Sequence, residues 1–214
     1  MISIDFHTHT FASKDSLTSP EKLLAAAKRK GLDRIVITDH NTITGGLAAQ
    51  RLNPSRFIVG EEIKTTRGEI LAAYVSEAIP AALSPQETIH RLRDQGAFIS
   101  VSHPFDIRSG AWALEDLLEI VPLVDAIEVF NARIMKPEAN ALALEFARNQ
   151  ALPGTAGSDA HAAFEVGVCR LELPPFNGPE ELKSVIQQGQ ARGRVSPWWV
   201  HFASFYARWR KTVV

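Results

Sequence analysis

Met1-Ile2-Ser3-Ile4-Asp5-Phe6-His7-Thr8-His9-Thr10 is a short β-branched run that ends abruptly in two imidazoles. The same kind of ending recurs along the chain. Arg34 to Thr38 leads into Asp39-His40-Asn41, and Phe57 to Ile63 carries Glu61-Glu62. Ala97 to Val101 runs into Ser102-His103-Pro104, Ala126 to Phe130 carries Glu128 and meets Asn131, and Pro153 to Ala156 gives way to Ser158-Asp159-Ala160-His161. With Gly167 to Leu173 these are seven candidate strands. Longer stretches with helical spacing separate them, an alternation that predicts a parallel sheet with crossover helices.

The clearest helix opens at Ser19-Pro20-Glu21-Lys22, where Ser caps and Pro takes the first turn; Leu23, Leu24 and Ala27 form its apolar stripe, and Gly31 ends it. Further helices are expected at Thr44 to Arg51, Pro85 to Gln95, Leu114 to Val121, Pro137 to Asn149 and Pro179 to Gln188, and Glu69 to Val75 reads as an extra strand hairpinned onto Phe57 to Ile63. No repeat or long linker divides the 214 residues, so the expectation is a single domain over 1–214 with a basic aromatic tail at 192–214.

Composition narrows the function classes. Hydrophobic residues at 45% and charged ones at 22% exclude disorder and collagen, and a formal net charge of -1 provides no global field for nucleic acid or an anionic membrane. Cys169 is the single cysteine and the N-terminus lacks a basic-then-apolar run, so a cytoplasmic protein with no membrane partner is expected.

In a parallel barrel the carboxyl ends of all strands open on one face, so the scattered strand-end residues converge. Several imidazoles and carboxylates with no paired thiols suit divalent Zn, Mn or Fe. His7 and His9, two apart on a strand end, point the same way and can grip one ion together.

Asp5-Phe6-His7-Thr8-His9-Thr10, Ile37-Thr38-Asp39-His40-Asn41-Thr42, Gly60-Glu61-Glu62-Ile63, Ser102-His103-Pro104-Phe105 and Gly157-Ser158-Asp159-Ala160-His161 together resemble the PHP (polymerase and histidinol phosphatase) superfamily, in order and spacing up to about Leu173. The resemblance implies an α/β fold, a distorted seven-stranded (β/α) barrel closed by a C-terminal helix, with two or three divalent metal ions at its mouth and phosphoester hydrolysis as its activity. It implies that His7 and His9 hold one ion with Glu62 and Asp159, that Glu62 bridges to a second held by His103, and that Asp15, His40 and His161 surround a third. Asp15 stands where some members have a histidine. Glu69 stands about where many have the histidine that completes the second site, and a carboxylate there favours a harder ion such as Mn or Fe. Asp15, His40, His103 and His161 are also the candidate catalytic groups, since an imidazole not ligating metal can protonate a leaving oxygen.

Around this set, strand alternation lets only one of Glu61 and Glu62 face the site; the family pattern selects Glu62 and leaves Glu61 to solvent or to a supporting role. Asp39 either orients a ligand imidazole or caps a turn, and Glu128 either faces the mouth or pairs structurally. Arg133 and Arg108 are the candidate phosphate clamps, with Lys64 a weaker third, against the alternative of rim salt bridges. His90 and His201 lie away from the strand ends, and Cys169 reads as a buried hydrophobe.

The tail carries Arg192, Arg194, Arg208, Arg210 and Lys211 among Trp198, Trp199, Phe202, Phe205, Tyr206 and Trp209. A helix from His201 to Lys211 brings Phe202, Phe205, Tyr206 and Trp209 to one face. A closing helix docked on the barrel is the leading expectation; a basic aromatic surface for single-stranded nucleic acid and a dimer contact are the others. The expected substrate is a small phosphomonoester or nucleotide phosphate, with exonucleolytic cleavage of short oligonucleotides second. A non-catalytic metal-stabilised module and a carbon–nitrogen hydrolase are the competing classes.

Overall fold

The structure, a computed structural model, describes residues 1–213; Val214, the last residue of the expected tail, lies outside them. Its strands are β1 (Ile2–Asp5), β2 (Arg34–Ile37), β3 (Phe57–Lys64), β4 (Glu69–Ala73), β5 (Phe98–Val101), β6 (Ala126–Asn131), β7 (Gly154–Gly157), β8 (Cys169–Leu173) and β9 (Gln190–Gly193). The helices are α1 (Pro20–Lys30), α2 (Thr44–Leu52), α3 (Pro85–Asp94), α4 (Leu114–Ile120), α5 (Glu138–Asn149), α6 (Gly178–Val185) and α7 (His201–Val213).

Local chemistry sets the helix ends. Ser19 Oγ accepts the Lys22 N–H ahead of α1, Ser84 Oγ accepts the Glu87 N–H ahead of α3, and each helix has Pro in its first turn. Gly31 closes α1 in the left-handed conformation, φ +66°, which costs a glycine nothing.

One sheet runs in the order β7-β6-β5-β4-β3-β2-β1-β8-β9. The pairs β1–β2, β2–β3, β5–β6 and β6–β7 are parallel. The sheet curls until its far edge returns to β1: the Phe6 N–H donates to the Ala156 carbonyl at 3.2 Å, and the His9 N–H to that of Ala160 at 2.9 Å. Gly157 permits this closure, because a Cβ there would sit 2.3 Å from that of His7. The result is a nearly closed barrel with apolar side chains packed between sheet and helices, among them Ile63, Ile99, Leu117 and Ile127.

Among the described residues there are nine strands, not seven. The strand expected to hairpin onto β3 does so: β4 is antiparallel to β3, and it also pairs antiparallel with β5. The last expected strand, β8, runs antiparallel to β1, pairing Ile2 with Leu173 and Ile4 with Leu171. It hairpins with β9, an exposed segment held by backbone pairing and by an Arg192–Glu172 ion pair of 3.6 Å. Reversal of β4 puts its first residue, Glu69, at the same rim as the carboxyl ends of the parallel strands. No helix among the described residues is long and apolar enough to cross a membrane.

Candidate metal centre

Five strand ends deliver donors to that rim, beside Glu69 at the start of β4. His7 and His9 leave β1, His40 follows β2, Glu62 lies near the end of β3, His103 follows β5, and Asp159 and His161 follow β7. A parallel bridge between His40 and Glu62 extends the β2–β3 ladder and fixes those two side by side. Asp159 has a positive φ of 52°, a conformation that Asp tolerates better than most residues.

The first group is His7, His9, Glu62 and Asp159. His7 Nε2 and His9 Nε2 are 3.1 Å apart; Glu62 Oε2 lies 3.4 and 3.5 Å from them, and Asp159 Oδ1 lies 3.6 and 3.2 Å. A tetrahedron with metal–ligand bonds of ~2.1 Å has edges of about 3.4 Å. The second group is Glu62, Glu69 and His103, with His103 Nε2 3.1 Å from Glu62 Oε1 and 3.6 Å from Glu69 Oε2. In the third, Asp15 Oδ1 stands 3.5 Å from His40 Nε2 and 3.4 Å from His161 Nε2, and this buried oxygen has no hydrogen-bond partner. All nine residues expected as ligands are thus gathered at one mouth, with Glu62 facing two groups at once.

The donor set fits divalent cations by a further criterion, the direction of its lone pairs. Ser13 Oγ donates to Asp39 Oδ1, so it accepts from His9 Nδ1–H at 3.1 Å. His7 Nδ1–H faces Glu128 Oε1 at 3.0 Å, and His161 Nδ1–H donates to the Asp159 carbonyl at 2.8 Å. With these Nδ1 positions committed, the Nε2 lone pairs converge on one another and on carboxylates, an arrangement that a cation satisfies.

Charges here answer one another. Burial disfavours protonating His7, but Glu62, Asp159 and Glu128 raise its pKa well above the usual imidazole range. His103 rises to about 9 against its own burial, chiefly through Glu62. His9 falls to about 3, because burial is reinforced by His161 and His40. Burial pushes Glu69 up to about 7, with the charge on Glu62 adding to it, whereas the surrounding imidazoles overcome burial and hold Glu62 and Asp159 well below the ordinary carboxylate value.

Supporting residues show which of the open sequence readings the fold takes. Glu128 faces the mouth and, besides His7, accepts from the His103 N–H and from Asn131 Nδ2. Asp39 accepts from the Thr10 N–H and Oγ1 and from Ser13 Oγ, which in turn accepts from His9 Nδ1–H and from the His40 N–H, so it braces the turn and orients His9 through Ser13. Glu61 is buried on the opposite side of β3, not in solvent; burial lifts its pKa to about 7, one oxygen accepts the Ile79 N–H, and the other is unpartnered. Asp5, Ser102 and Glu165 went unassigned in the sequence reading. Asp5 accepts from the Ser158 N–H and Oγ and from the Gly167 N–H, which ties β1 to the loop after β7. Ser102 Oγ donates to Glu62 Oε1. An acid beginning a run that ends in His-x-His was the available signal for Asp5; Glu165 has none in its local sequence.

A cavity of about 790 Å³ opens above the donors, and Lys14, Lys64, Arg108, Arg133 and Arg208 line it. Arg133 is already engaged: its guanidinium donates to Glu165 Oε2 and to Ser204 Oγ of α7, both at 2.5 Å. Arg108 sits on a 3-10 turn, Ile107–Ser109, and its guanidinium has no ion-pair partner among the described residues. His201 reaches the cavity wall from the start of α7, whereas His90 is exposed on α3 beside Asp94. Cys169 is buried, which pushes its thiol pKa up.

A nearly closed mixed barrel with three interlocked imidazole–carboxylate groups at its mouth defines a candidate metal-site architecture. The chain belongs to the PHP family: the PHP domain model matches residues 5–90 and the PHP-associated model residues 137–191. Uncharacterized protein MJ1587 of Methanocaldococcus jannaschii is 38% identical over 141 residues, 60% of this chain and 81% of that protein. Among solved structures, PsfC from Pseudomonas syringae shares the fold with a TM-score of 0.70 at 20% identity, over 100% of this chain and 99% of that one. A putative metal-dependent phosphoesterase from Bifidobacterium adolescentis does so at 0.64 and 18% identity, over 75% and 88%.

Proposed function

We propose that the protein is a metal-dependent hydrolase of phosphoesters, acting on a small phosphomonoester or nucleotide phosphate. The observation that carries this reading is the convergence of His7, His9, Glu62 and Asp159 on one centre beneath a cation-lined cavity. When bound, two or three divalent ions supply Lewis acidity, lowering the pKa of water toward neutrality and offsetting charge on phosphorus oxygens.

The chain's own residues do the rest. Glu128, Ser13 and the Asp159 carbonyl fix the tautomers of His7, His9 and His161, so their Nε2 lone pairs face the centre. Arg108, Lys64 and Lys14 attract and orient an anionic group from the rim. Arg133 clamps α7 and thereby shapes the wall. His40, His103 and His161 line the cavity, each placed to hand a proton to a leaving oxygen when it is not ligating.

Metal-stripped protein should recover turnover of a phosphomonoester panel and of nitrophenyl phosphate when Mn or Zn is restored. Near-normal hydrolysis by the stripped protein, or by His9→Ala, would falsify the reading. Cleavage of a short oligonucleotide is the second reading, favoured by the rim cations that lie outside the donor groups. A steep fall in activity with salt on the oligonucleotide, absent with nitrophenyl phosphate, selects it.

A further inference from the structure

Helix α7 is turned inside out. Its barrel side buries only small residues, Ser204 and Ala207, with Val200 just before it. Hydrogen bonds hold it there: Arg133 to Ser204, and Lys211 Nζ to the carbonyls of Phe11 and Ser13. Phe205 is 71% exposed, Trp198 65% and Phe202 62%, and Tyr206, Trp209 and Trp199 are about half exposed beside them. With 150–250 Å² per aromatic side chain, these six leave about 700 Å² of ring surface in water. That exceeds the largest apolar patch of most monomers and approaches the ~800 Å² per partner of a stable protein–protein contact. An isolated helix of this length is marginal in water, and small buried residues add little to it.

We propose that this outer face is the contact between two copies of the chain, paired antiparallel about a two-fold axis near Phe205 and Tyr206. Charge favours a second copy over other occupants. The helix has no acidic residue, and its clustered cations, Arg208, Arg210 and Lys211, all lie in its second half. Antiparallel pairing sends the two cation clusters to opposite ends and brings helix termini of opposite dipole together. The net charge of -1 neither drives copies apart nor draws in a polyanion. The rings are also packed on one another, Trp198 on Phe202 at 5.6 Å edge-to-face and Tyr206 with Trp209 at 5.9 Å, rather than splayed as stacking platforms for bases. Because the inner side of α7 contributes His201, Ser204 and Arg208 to the cavity wall, the second copy would back that wall.

Sedimentation velocity of the full chain over the micromolar range tests the pairing. Wild type should be a dimer, and Phe205→Glu should be a monomer with an unchanged far-UV circular dichroism spectrum. Phe205→Cys should give a cross-linked dimer with a short bis-maleimide, whereas Glu115→Cys, at an exposed position of α4, should not; the buried Cys169 keeps the background low. A monomeric wild type, or a Phe205→Glu protein that stays dimeric, overturns the proposal. So does a monomeric wild type that floats with phosphatidylglycerol vesicles or is retained by oligothymidylate, since either result assigns the face to a different partner.

Discussion

The barrel mouth and the outer face of α7 break the usual partition of residues in opposite directions. At the mouth, ionisable groups such as His7, His9 and Glu62 are withdrawn from water; on α7, Phe202, Phe205 and Trp209 are left in it. Buried polar clusters and exposed apolar patches are the departures from ordinary folding that call for a reason. The mouth has its reason in the donor set itself, because its converging Nε2 lone pairs and carboxylates, with Asp15 Oδ1 unpartnered, are arranged as a cation would need them. The α7 face has none within a single copy, which is why its explanation is sought in a second. Chemistry and assembly should therefore respond to different substitutions.

The largest effect is expected at the mouth. Asp159→Asn removes a charged donor, and the several kcal/mol a metal centre contributes correspond to a loss of turnover of about a thousandfold, measured by steady-state kinetics with circular dichroism to show an intact fold. Next comes Arg133→Ala, which leaves Glu165 buried without its cation. A loss of about 3 kcal/mol is expected from denaturant unfolding, together with faster proteolysis within 198–213 as α7 loosens. Glu128→Gln should weaken metal binding by roughly 10- to 100-fold through the loss of orientation at His7, read by calorimetric titration.

The smallest effect concerns Glu61, and its sign is opposite to that of its neighbour. The unfolded carboxyl ionises at the ordinary value of 4.5, the folded one at about 7. Across that window the unfolded state loses its proton first, so Glu61 subtracts stability as pH rises. Glu61→Gln should flatten the slope of stability against pH between those values without changing turnover. An unchanged slope would place the folded pKa of Glu61 near the unfolded one.

Much of the mouth was legible in the sequence, because period-2 runs ending in His, Asp or Glu carry both the strand and its donor. What the pattern could not encode was direction. The apolar alternation of β8 reads the same parallel or antiparallel, whereas the short turn between β3 and β4 had already marked that pair as a hairpin, which is what brings Glu69 to the rim. Strand β9 was hidden because Gln190–Gly193 buries nothing. The aromatic spacing of α7 was visible, but periodicity shows that a face exists, not which way it turns. Here Ser204 and Ala207 allow close approach and Arg133 and Lys211 supply polar anchors, so the rings face outward. Arg133 read as a free cation because its partners, Glu165 and Ser204, are remote in sequence.

Anomalous X-ray diffraction from crystals grown with Mn or Zn tests the central claim most directly. The account predicts a peak within about 2.0 to 2.2 Å of His7 Nε2, His9 Nε2 and one carboxylate oxygen each from Glu62 and Asp159, with any further peaks beside His103 and between Asp15, His40 and His161. A metal-replete crystal with no density at the His7–His9 centre would contradict it.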